Sequence, residues 1–349
     1  MNLTYHPLDL KLRYKFQIAR EIRDVQNNII VHIKDEDGII GLGEAAPTSF
    51  FGEDVSSVTS VFNQSVNLLK NTDPFQIEDI TSLLKSRFPK DASARAAIDM
   101  AIHDIVGKKL KVPLYKLLGL NPKEPKVTSF TIGIDTTENM CKKTAEARDL
   151  PILKIKVGFK NDIEMLKELR KITKATFRID ANTGWTLDEA IKKINIMEGL
   201  GVELVEQPFP VGNIETLKKL KKSVKIPIFA DEDVRDSTDI PRLSGAVDGI
   251  NIKLMKCGGI REALRMIHTA RALDLKTMIG CNIESSVSIT AAAHLSPLID
   301  YIDLDGHLLV TNDPYVGIMI EKGKISLPEG EGLGVKALSN TDIYKHNIL

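Results

Sequence analysis

Residues 152–180 read ILKIKVGFKNDIEMLKELRKITKATFRID, and this stretch contains the unit from which the fold can be predicted. The run ILKIKV is typical of a buried strand, DIEMLKELRKIT has apolar residues at helical spacing, and TFRID is a second strand. Two strands joined by one helix of this length form a parallel βαβ unit.

The same unit repeats on both sides of this stretch. Helical runs separate eight strand-like runs, which begin at residues 129, 152, 176, 202, 226, 249, 276 and 301. Eight strands alternating with helices over roughly 180 residues predict an α/β fold with a parallel (β/α) barrel. An open, doubly wound sheet is the alternative, but the glycine-rich phosphate-binding turn typical of that fold is missing from the sequence.

The flanking segments have a different pattern. An apolar run at 29–33, the turn DEDG and the run IIGLGEAAP predict a β-hairpin, and helical periodicity begins near residue 55 and is clear at 93–110. Residues 317–335 return to a hairpin-like pattern. We therefore predict an α+β domain over residues 1–125, completed by residues 310–349, and a catalytic barrel domain over residues 126–309.

The composition excludes several classes of protein. The chain has 349 residues, with 47 Lys plus Arg and 47 Asp plus Glu, so it has no basic excess of the kind that binds nucleic acid. A hydrophobic content of 43% fits a soluble globular protein, and neither a signal peptide nor an apolar run of membrane-spanning length is found. Three cysteines without a CxxC pair suit a reducing compartment. We expect a cytoplasmic homo-oligomer with no nucleic-acid or membrane partner.

Polar residues stand at the predicted C-terminal ends of the strands, where barrel enzymes have their active sites. Lys156, Asp180, Glu206, Asp231 and Lys253 follow one another at intervals of 24, 26, 25 and 22 residues, about one βα unit each. Three carboxylates on neighbouring strands, with no Cys or His among them, predict a site for one Mg²⁺ ion. The alternative is that each carboxylate pairs separately with a lysine, but the mutual repulsion and desolvation of the three favour a cation.

The lysines predict acid–base chemistry. Lys154 and Lys156 are two residues apart and project to the same side of a strand, while Lys253 lies on the sixth strand, across the barrel. A lysine near a cation and another lysine has its ammonium form disfavoured, so it can act as a neutral base. Two lysines facing each other across a metal predict proton transfer on opposite faces of a substrate carbon. Solvated charges at the strand ends are the alternative.

The barrel motifs resemble those of the enolase superfamily. They are KxK at 154–156, DxN at 180–182, EQP at 206–208, ADE at 230–232 and NIKxxKxGG at 251–259. Over essentially its whole length, the chain resembles the muconate-cycloisomerase subgroup. The resemblance implies a (β/α)7β TIM-like barrel under an α+β capping domain built from both termini.

The resemblance also assigns roles to residues. It implies that Asp180, Glu206 and Asp231 hold Mg²⁺, and it makes Lys156 and Lys253 the acid/base pair, with Lys154 adjacent to Lys156. Asn182 and Glu232, which belong to the DxN and ADE motifs, are expected to support the metal ligands from behind.

Within the subgroup, the stretch TSFT at 128–131 and the DLD of the last strand resemble dipeptide epimerases, including the alanyl-glutamate enzymes. The resemblance implies that Asp303 and Asp305 hold the free α-ammonium of a dipeptide, which is the expected small-molecule partner. Thr131, Cys281 and Ile283 fall at matching substrate-contact positions.

Two capping loops, near residues 16–24 and 48–54, are expected to cover the side chain of the substrate's C-terminal residue. Phe16, Phe50 and Phe51 would line an apolar pocket there, or they only hold the loops to the barrel.

The first of these loops bears on the charge of the substrate. The alanyl-glutamate enzymes place an arginine in it, and alignment from Phe16 puts Glu21 at that point, with Arg20 and Arg23 nearby. We therefore predict L-Ala-L-Xaa dipeptides with a neutral or apolar Xaa rather than L-Ala-L-Glu alone.

The implied reaction is a 1,1-proton transfer at the α-carbon of the C-terminal residue, through an enediolate, which makes the enzyme an isomerase. The alternatives within the subgroup are N-acylamino-acid racemisation, o-succinylbenzoate synthesis, cycloisomerisation and strict L-Ala-D/L-Glu epimerisation. A Schiff-base aldolase with Lys253 as its amine, and a non-catalytic binding barrel, are the alternatives from other classes.

Overall fold

The computed structural model describes residues 1–18, 21–159 and 161–339, with the backbone alone at residues 16, 18 and 21. Its N-terminal part is an antiparallel sheet backed by helices. The sheet has the order β1 (Asn2–Ile18), β2 (Glu21–Lys34) and β3 (Ile40–Ala45). The helices are α1 (Val55–Leu69), α2 (Ile77–Arg87), α3 (Ala92–Lys109) and α4 (Leu114–Leu117). This is the α+β arrangement that the sequence predicts.

Helix α3 packs directly on strand β3 because two glycines leave no side chain between them. A Cβ atom at Gly41 would lie 1.9 Å from the main-chain oxygen of Ala101, and one at Gly43 would lie 1.9 Å from that of Ala97. Larger residues at either position would push the helix off the sheet.

The hairpin β1–β2 corrects the prediction of a loop over residues 16–24. Phe16 pairs with Arg23, Gln17 with Ile22 and Ile18 with Glu21, after a register shift that follows Lys11. These pairs satisfy main-chain groups that a loop would leave to solvent, so the described part of the segment is the end of a two-stranded ribbon, and the main-chain oxygen of Gln17 in it accepts from the main-chain N–H of Ile134 (2.8 Å).

Eight parallel strands in the described part of the chain form the predicted barrel. They are β4 (Phe130–Ile132), β5 (Ile152–Lys156), β6 (Thr176–Asp180), β7 (Val202–Glu206), β8 (Ile228–Ala230), β9 (Gly249–Lys253), β10 (Lys276–Gly280) and β11 (Tyr301–Asp303). Each strand pairs with the next one along the chain, and a bridge between Thr128 and Ile302 joins the two ends of the sheet. The consecutive order and the closure confirm the barrel and exclude the doubly wound sheet.

Helices connect the barrel strands, and the longer ones cover the outside of the barrel. They are α5 (Thr137–Glu146), α6 (Asp162–Ile172), α7 (Leu187–Met197), α8 (Ile214–Ser223), α9 (Ile240–Leu243), α10 (Leu254–Cys257), α11 (Ile260–Ala272) and α12 (Ser286–Ala293). On β5, Leu153 and Ile155 belong to the apolar core shared with these helices. The alternation of a strand therefore turns Lys154 and Lys156 towards the barrel interior.

The segment after the barrel contacts the N-terminal part. It contains β12 (Tyr315–Val316), which pairs with β15 (Lys336–Ala337), and a hairpin of β13 (Met319–Glu321) and β14 (Lys324–Ser326). The main-chain N–H of Leu333 donates to Asp104 Oδ1 on α3 (2.8 Å), and that of Leu114 donates to the oxygen of Gly332 (2.7 Å). None of the helices among the described residues has the length and apolarity needed to span a bilayer.

Candidate active site

Three carboxylates meet at the C-terminal ends of neighbouring barrel strands. Asp180 is the last residue of β6, and Glu206 is the last residue of β7. The two are register partners in the parallel strand pair, and Asp231 directly follows β8. One oxygen of each lies within 4.8 Å of the others, and all three residues are buried. The structure thus brings together the residues that the spacing along the chain places in phase.

Lys156 and Lys253 approach this cluster from opposite sides. Their strands, β5 and β9, are four positions apart in the eight-stranded sheet of the described residues, so they face each other across the barrel. Lys156 Nζ donates to Asp180 Oδ2 (2.6 Å), and Lys253 Nζ donates to Asp231 Oδ2 (2.7 Å). Their side chains are only 10% and 13% exposed, which rules out the alternative of solvated surface charges.

Lys154 lies among the acidic side chains. Its Nζ is 2.8 Å from Glu206 Oε2, 3.2 Å from Asp180 Oδ2 and 2.7 Å from Asp303 Oδ2. Burial alone would lower the pKa of Lys154, but these carboxylates, Asp303 first, outweigh burial and raise it well above its usual value. Lys154 is therefore a fixed ammonium that joins the three-carboxylate cluster to the aspartates of the last strand.

Glu206 is the member of the cluster on which a negative charge is least favourable. Burial first, and the charge of neighbouring Asp180 second, raise the pKa of Glu206 to about 8. Burial also opposes ionisation of Asp180 and Asp231, but nearby lysines, led by Lys156 and Lys253, outweigh burial and hold both pKa values well below the usual range. Adjacent buried carboxylate oxygens with an unfavourable charge on one of them are a donor set that fits a divalent cation such as Mg²⁺.

Asp303 and Asp305 lie beside the cluster, at the end of β11. Asp303 accepts hydrogen bonds from Ser129 Oγ (2.6 Å) and Lys154 Nζ (2.7 Å), and Asp305 accepts one from the main-chain N–H of Thr131 (2.6 Å). Burial first, and the charge of Asp303 second, raise the pKa of Asp305 to about 6. This pair has the negative charge to hold an additional cationic group.

Cys281 adjoins the two aspartates, with its Sγ 3.9 Å from Asp305 Oδ1. Burial, reinforced by the Asp305 charge, raises the pKa of the thiol well above its usual value. Because the thiolate is the nucleophilic form of cysteine, Cys281 can contribute contact surface here but not covalent catalysis.

A cavity of about 710 Å³, including its open mouth, lies between the barrel and the N-terminal part. Its barrel side is lined by Thr131, Lys154, Lys156, Asn182, Asp231, Lys253, Cys281, Asn282, Ile283, Asp303, Asp305 and Leu309, and its other side by Arg23, Gln26, Pro47 and Thr48. The size and the convergent polar groups suit a small, charged molecule. The structure therefore places Thr131, Cys281 and Ile283 at the site, as expected.

The aromatic residues of the cap do not form the expected pocket. Phe51 packs beneath the Arg235 guanidinium, 4.9 Å from its ring centroid, and Phe50 meets Phe51 edge-on at 5.0 Å. Neither residue lines the cavity, so the structure corrects the expected substrate contact of Phe51 and favours the loop-holding alternative. The side chain of Phe16, all of Arg20 and the side chain of Glu21 lie outside the described residues.

The residues expected behind the metal ligands are buried. The main-chain N–H of Asn182 donates to Asp180 Oδ1 (3.0 Å), and Asn182 also lines the cavity.

The carboxylates also act on Lys253. Burial alone would lower the pKa of Lys253, but the charges of Asp231 first, and of Glu232 among others, outweigh burial and raise this pKa. The neutral form expected of Lys253 depends on a nearby cation and stays a prediction.

Sequence reasoning missed three residues that hydrogen-bond to Glu206 or Asp231. Gln207 Oε1 accepts from the main-chain N–H of Asp231 (2.9 Å), and Asn251 Nδ2 donates to Glu206 Oε1 (2.8 Å). Lys256 Nζ donates to Asp231 Oδ1 (2.6 Å). All three stand inside the EQP and NIKxxKxGG motifs, so a signal was present, but their roles depend on contacts between strands.

Comparison with known proteins gives consistent matches along the chain. Residues 3–119 match the family model described as "Mandelate racemase / muconate lactonizing enzyme, N-terminal domain", and residues 137–340 match "Enolase C-terminal domain-like". An L-Ala-D/L-Glu epimerase of Bacteroides thetaiotaomicron is 43% identical, covering 96% of this chain and 88% of its own.

Two further relatives are named for, or complexed with, dipeptides other than L-Ala-L-Glu. An L-Ala-D/L-amino acid epimerase of Flavobacterium johnsoniae is 37% identical over 97% of this chain and 100% of its own. The crystal structure of a dipeptide epimerase from Enterococcus faecalis V583, complexed with Mg and L-Leu-L-Tyr, superposes with a TM-score of 0.91 at 35% identity, covering 96% of this chain and 99% of that one.

Proposed function

The chain belongs to the mandelate racemase/muconate lactonizing enzyme family of the enolase superfamily, and on that premise we propose that it is a Mg²⁺-dependent dipeptide epimerase. The observation that carries the proposal is the placement of Lys156 and Lys253 on opposite sides of a three-carboxylate cluster, beside the acidic pair Asp303 and Asp305. The names of similar proteins, which mention dipeptide epimerisation and bound Mg, support the proposal.

Asp180, Glu206 and Asp231 would hold the metal ion. Their oxygens converge without any nitrogen or sulfur donor among them, and this donor set suits Mg²⁺. When bound, Mg²⁺ stabilises the negative charge that develops on a substrate carboxylate during deprotonation of the adjacent α-carbon.

The two lysines would move the proton. A substrate α-carbon between them presents one face to Lys156 and the other to Lys253, so one lysine can remove the proton and the other can return one from the opposite side. Lys156 Nζ and Lys253 Nζ are held at the cavity by hydrogen bonds to Asp180 and Asp231, so each is placed to exchange a proton with the substrate. The Schiff-base alternative needs a single amine and leaves the three-carboxylate cluster and Lys156 without a role.

Asp303 and Asp305 would bind the free α-ammonium of the substrate. Both carboxylates line the cavity, and burial holds the pKa of Asp305 above its usual value, so a cationic ligand relieves an existing cost. Lys154 Nζ binds both Asp303 and Glu206, so it fixes the distance between the acidic pair and the three-carboxylate cluster.

A comparison of free and N-acetylated dipeptides tests this proposal. We expect acetylation of L-Ala-L-Xaa to lower kcat/KM at least ~100-fold, because a charge-assisted hydrogen bond is lost and buried carboxylates remain unpaired. In Asp305→Asn, the preference for the free amino group should shrink. Equal kcat/KM values for free and acetylated substrates in the parent enzyme would contradict the proposal and favour N-acylamino-acid racemisation.

Arg23 supports a second candidate, strict epimerisation of L-Ala-L-Glu. Arg23 lines the cavity from the cap, and its Nη1 donates to Gln26 Oε1 beside it, so a guanidinium stands where it can meet a substrate carboxylate. The other cap residues at the cavity, Pro47 and Thr48, carry no charge and suit a neutral side chain. We retain L-Ala-L-Xaa with neutral or apolar Xaa as the main proposal, with L-Ala-L-Glu as one accepted substrate.

Kinetic constants for L-Ala-L-Glu, L-Ala-L-Phe and L-Ala-L-Met separate the two candidates. We expect the three kcat/KM values to agree within about tenfold, or ~1.4 kcal/mol. Arg23→Met should lower the value for L-Ala-L-Glu alone, because only that substrate offers the guanidinium a side-chain carboxylate. A preference of more than tenfold for L-Ala-L-Glu in the parent, lost in Arg23→Met, would establish the strict enzyme instead.

Three broader expectations remain proposals. We propose that the protein lies in a reducing compartment, the cytoplasm, because Cys141, Cys257 and Cys281 are free thiols.

We propose one domain formed by residues 1–125 together with 310–349, and a second formed by residues 126–309. The hydrogen bonds of Leu333 and Leu114 join the two terminal segments of the first domain. Assembly into a homo-oligomer stays a prediction.

A further inference from the structure

Lys256 is a buried lysine whose ammonium group is fully used inside the protein. It lies on α10, three residues after Lys253, and its side chain is 1% exposed. Its Nζ is 2.6 Å from Asp231 Oδ1, 2.6 Å from the main-chain oxygen of Asp231 and 2.8 Å from that of Asn251. Three acceptors match the three N–H bonds of an ammonium group, so no donor remains for a substrate.

Lys253 and Lys256 hold the two oxygens of the same carboxylate. Lys253 binds Asp231 Oδ2 from the cavity side and lines the cavity, whereas Lys256 binds Oδ1 and is not among the lining residues. The hydrogen bonds of Lys253 and Lys256 to Asp231 therefore differ in whether a bound ligand can displace them. A ligand entering through the cavity can compete with Lys253 for Oδ2, but it does not reach the contact between Lys256 and Oδ1.

The turn that carries Lys256 is itself held in place. Gly258 and Gly259 end α10 with φ values of 98° and 119°, and the main-chain N–H of Ile260 donates to Asp99 Oδ2 on α3 (2.5 Å). A side chain at these glycines would be strained and would also meet Arg95 or Asp99 of α3. The capping domain thus fixes the turn from outside, and Lys256 fixes Asp231 from the turn.

We propose that Lys256 is a positioning residue for the metal site, an inference that rests on the proposed assignment of Mg²⁺ to Asp231. By binding Oδ1 and the main-chain oxygen of Asp231, Lys256 fixes the rotation of the carboxylate and leaves Oδ2 to Lys253 on the cavity side, in the orientation in which Asp231 would hold the metal ion. Residues that hydrogen-bond to a metal ligand commonly tune the affinity of the site for the metal in this way.

Charge alone and positioning predict opposite effects on metal affinity. Removing either Lys253 or Lys256 takes a positive charge away from the metal ligands, so a purely electrostatic role predicts tighter Mg²⁺ binding in both variants. Positioning predicts that Lys253→Met binds Mg²⁺ at least as tightly as the parent, whereas Lys256→Met binds it about 10–100-fold more weakly. The sign of the second effect separates the two roles.

The experiment is calorimetric titration of the chelator-treated, full-length protein with Mg²⁺, for the parent, Lys253→Met, Lys256→Met and a control. The control is Lys109→Met, since Lys109 also pairs with a buried aspartate, Asp35 (2.6 Å), on the capping domain. Unfolding temperatures show how much stability each lysine contributes, and Lys109→Met should keep the parent's Mg²⁺ affinity even if it is less stable.

Weakened binding in Lys256→Met, with parental or tighter binding in Lys253→Met, supports the inference. Parental or tighter binding in Lys256→Met overturns it. If Lys256→Met does not fold, Lys256→Gln, which removes the charge but keeps a hydrogen-bond donor, takes its place. Tighter Mg²⁺ binding than in the parent then overturns the inference, and parental or weaker binding supports it. Failure of the parent to bind Mg²⁺ would instead refute the proposed function, and the inference with it.

Discussion

Lys253→Ala should abolish epimerisation while leaving the barrel folded, and Lys156→Ala should do the same. Each variant removes the group that serves one face of the α-carbon, and inversion needs both faces. General acid–base groups contribute ~10²–10⁴-fold in rate, so we expect kcat to fall at least by this factor in either variant. The measurement is polarimetric or chiral-chromatographic assay of L-Ala-L-Xaa turnover under saturating Mg²⁺.

A matched control makes this result specific. Lys193→Ala removes a lysine that is paired with the buried Asp162 at 2.7 Å, on the outer helices of the barrel, and it should keep kcat within a few-fold of the parent. Retention of more than a tenth of the parental kcat in Lys253→Ala, with Mg²⁺ binding intact, would show that Lys253 is not one of the two acid/base groups.

Asp180→Asn and Asp231→Asn should remove both Mg²⁺ binding and activity. An amide in place of a carboxylate takes a full negative charge from a cation site, and in each variant the lysine that paired with that oxygen loses its partner. We expect turnover below detection, and we expect exhaustive chelation of the parent to have the same effect, reversed by added Mg²⁺. The measurement combines calorimetric titration with Mg²⁺ and the epimerase assay.

Asp248→Asn is the control for the metal ligands. Asp248 precedes β9, at the opposite end of the barrel strands, where it accepts a hydrogen bond from the main-chain N–H of Ile228 (2.9 Å). This variant should bind Mg²⁺ as the parent does. Undiminished turnover by the parent after complete chelation would contradict the metal assignment.

The barrel could be predicted because its signal is local and repeated. Each strand and each helix has its own periodicity, and strand ends in phase along the sequence lie in phase around a closed parallel sheet. Asp180, Glu206 and Asp231 needed only that rule to be placed together, and the structure brings them within 4.8 Å.

Other features depend on contacts that the sequence does not encode locally. Lys256 acts on Asp231 through the distance between the end of β8 and a turn after β9, which no spacing rule gives. Phe51 packs against Arg235 and not in the cavity, because its orientation depends on how the cap meets the barrel.

Deuterium exchange tests most directly the central claim that two lysines act on opposite faces of one α-carbon. L-Ala-L-Xaa and L-Ala-D-Xaa are incubated separately in D₂O with the parent, Lys156→Ala and Lys253→Ala, and deuterium at the α-carbon is followed by mass spectrometry and NMR. We predict that the parent labels both epimers, while each variant labels only one epimer, a different one for each lysine, without inverting it. Labelling of both epimers by one variant, or of neither epimer by a variant that still binds Mg²⁺, would contradict the claim.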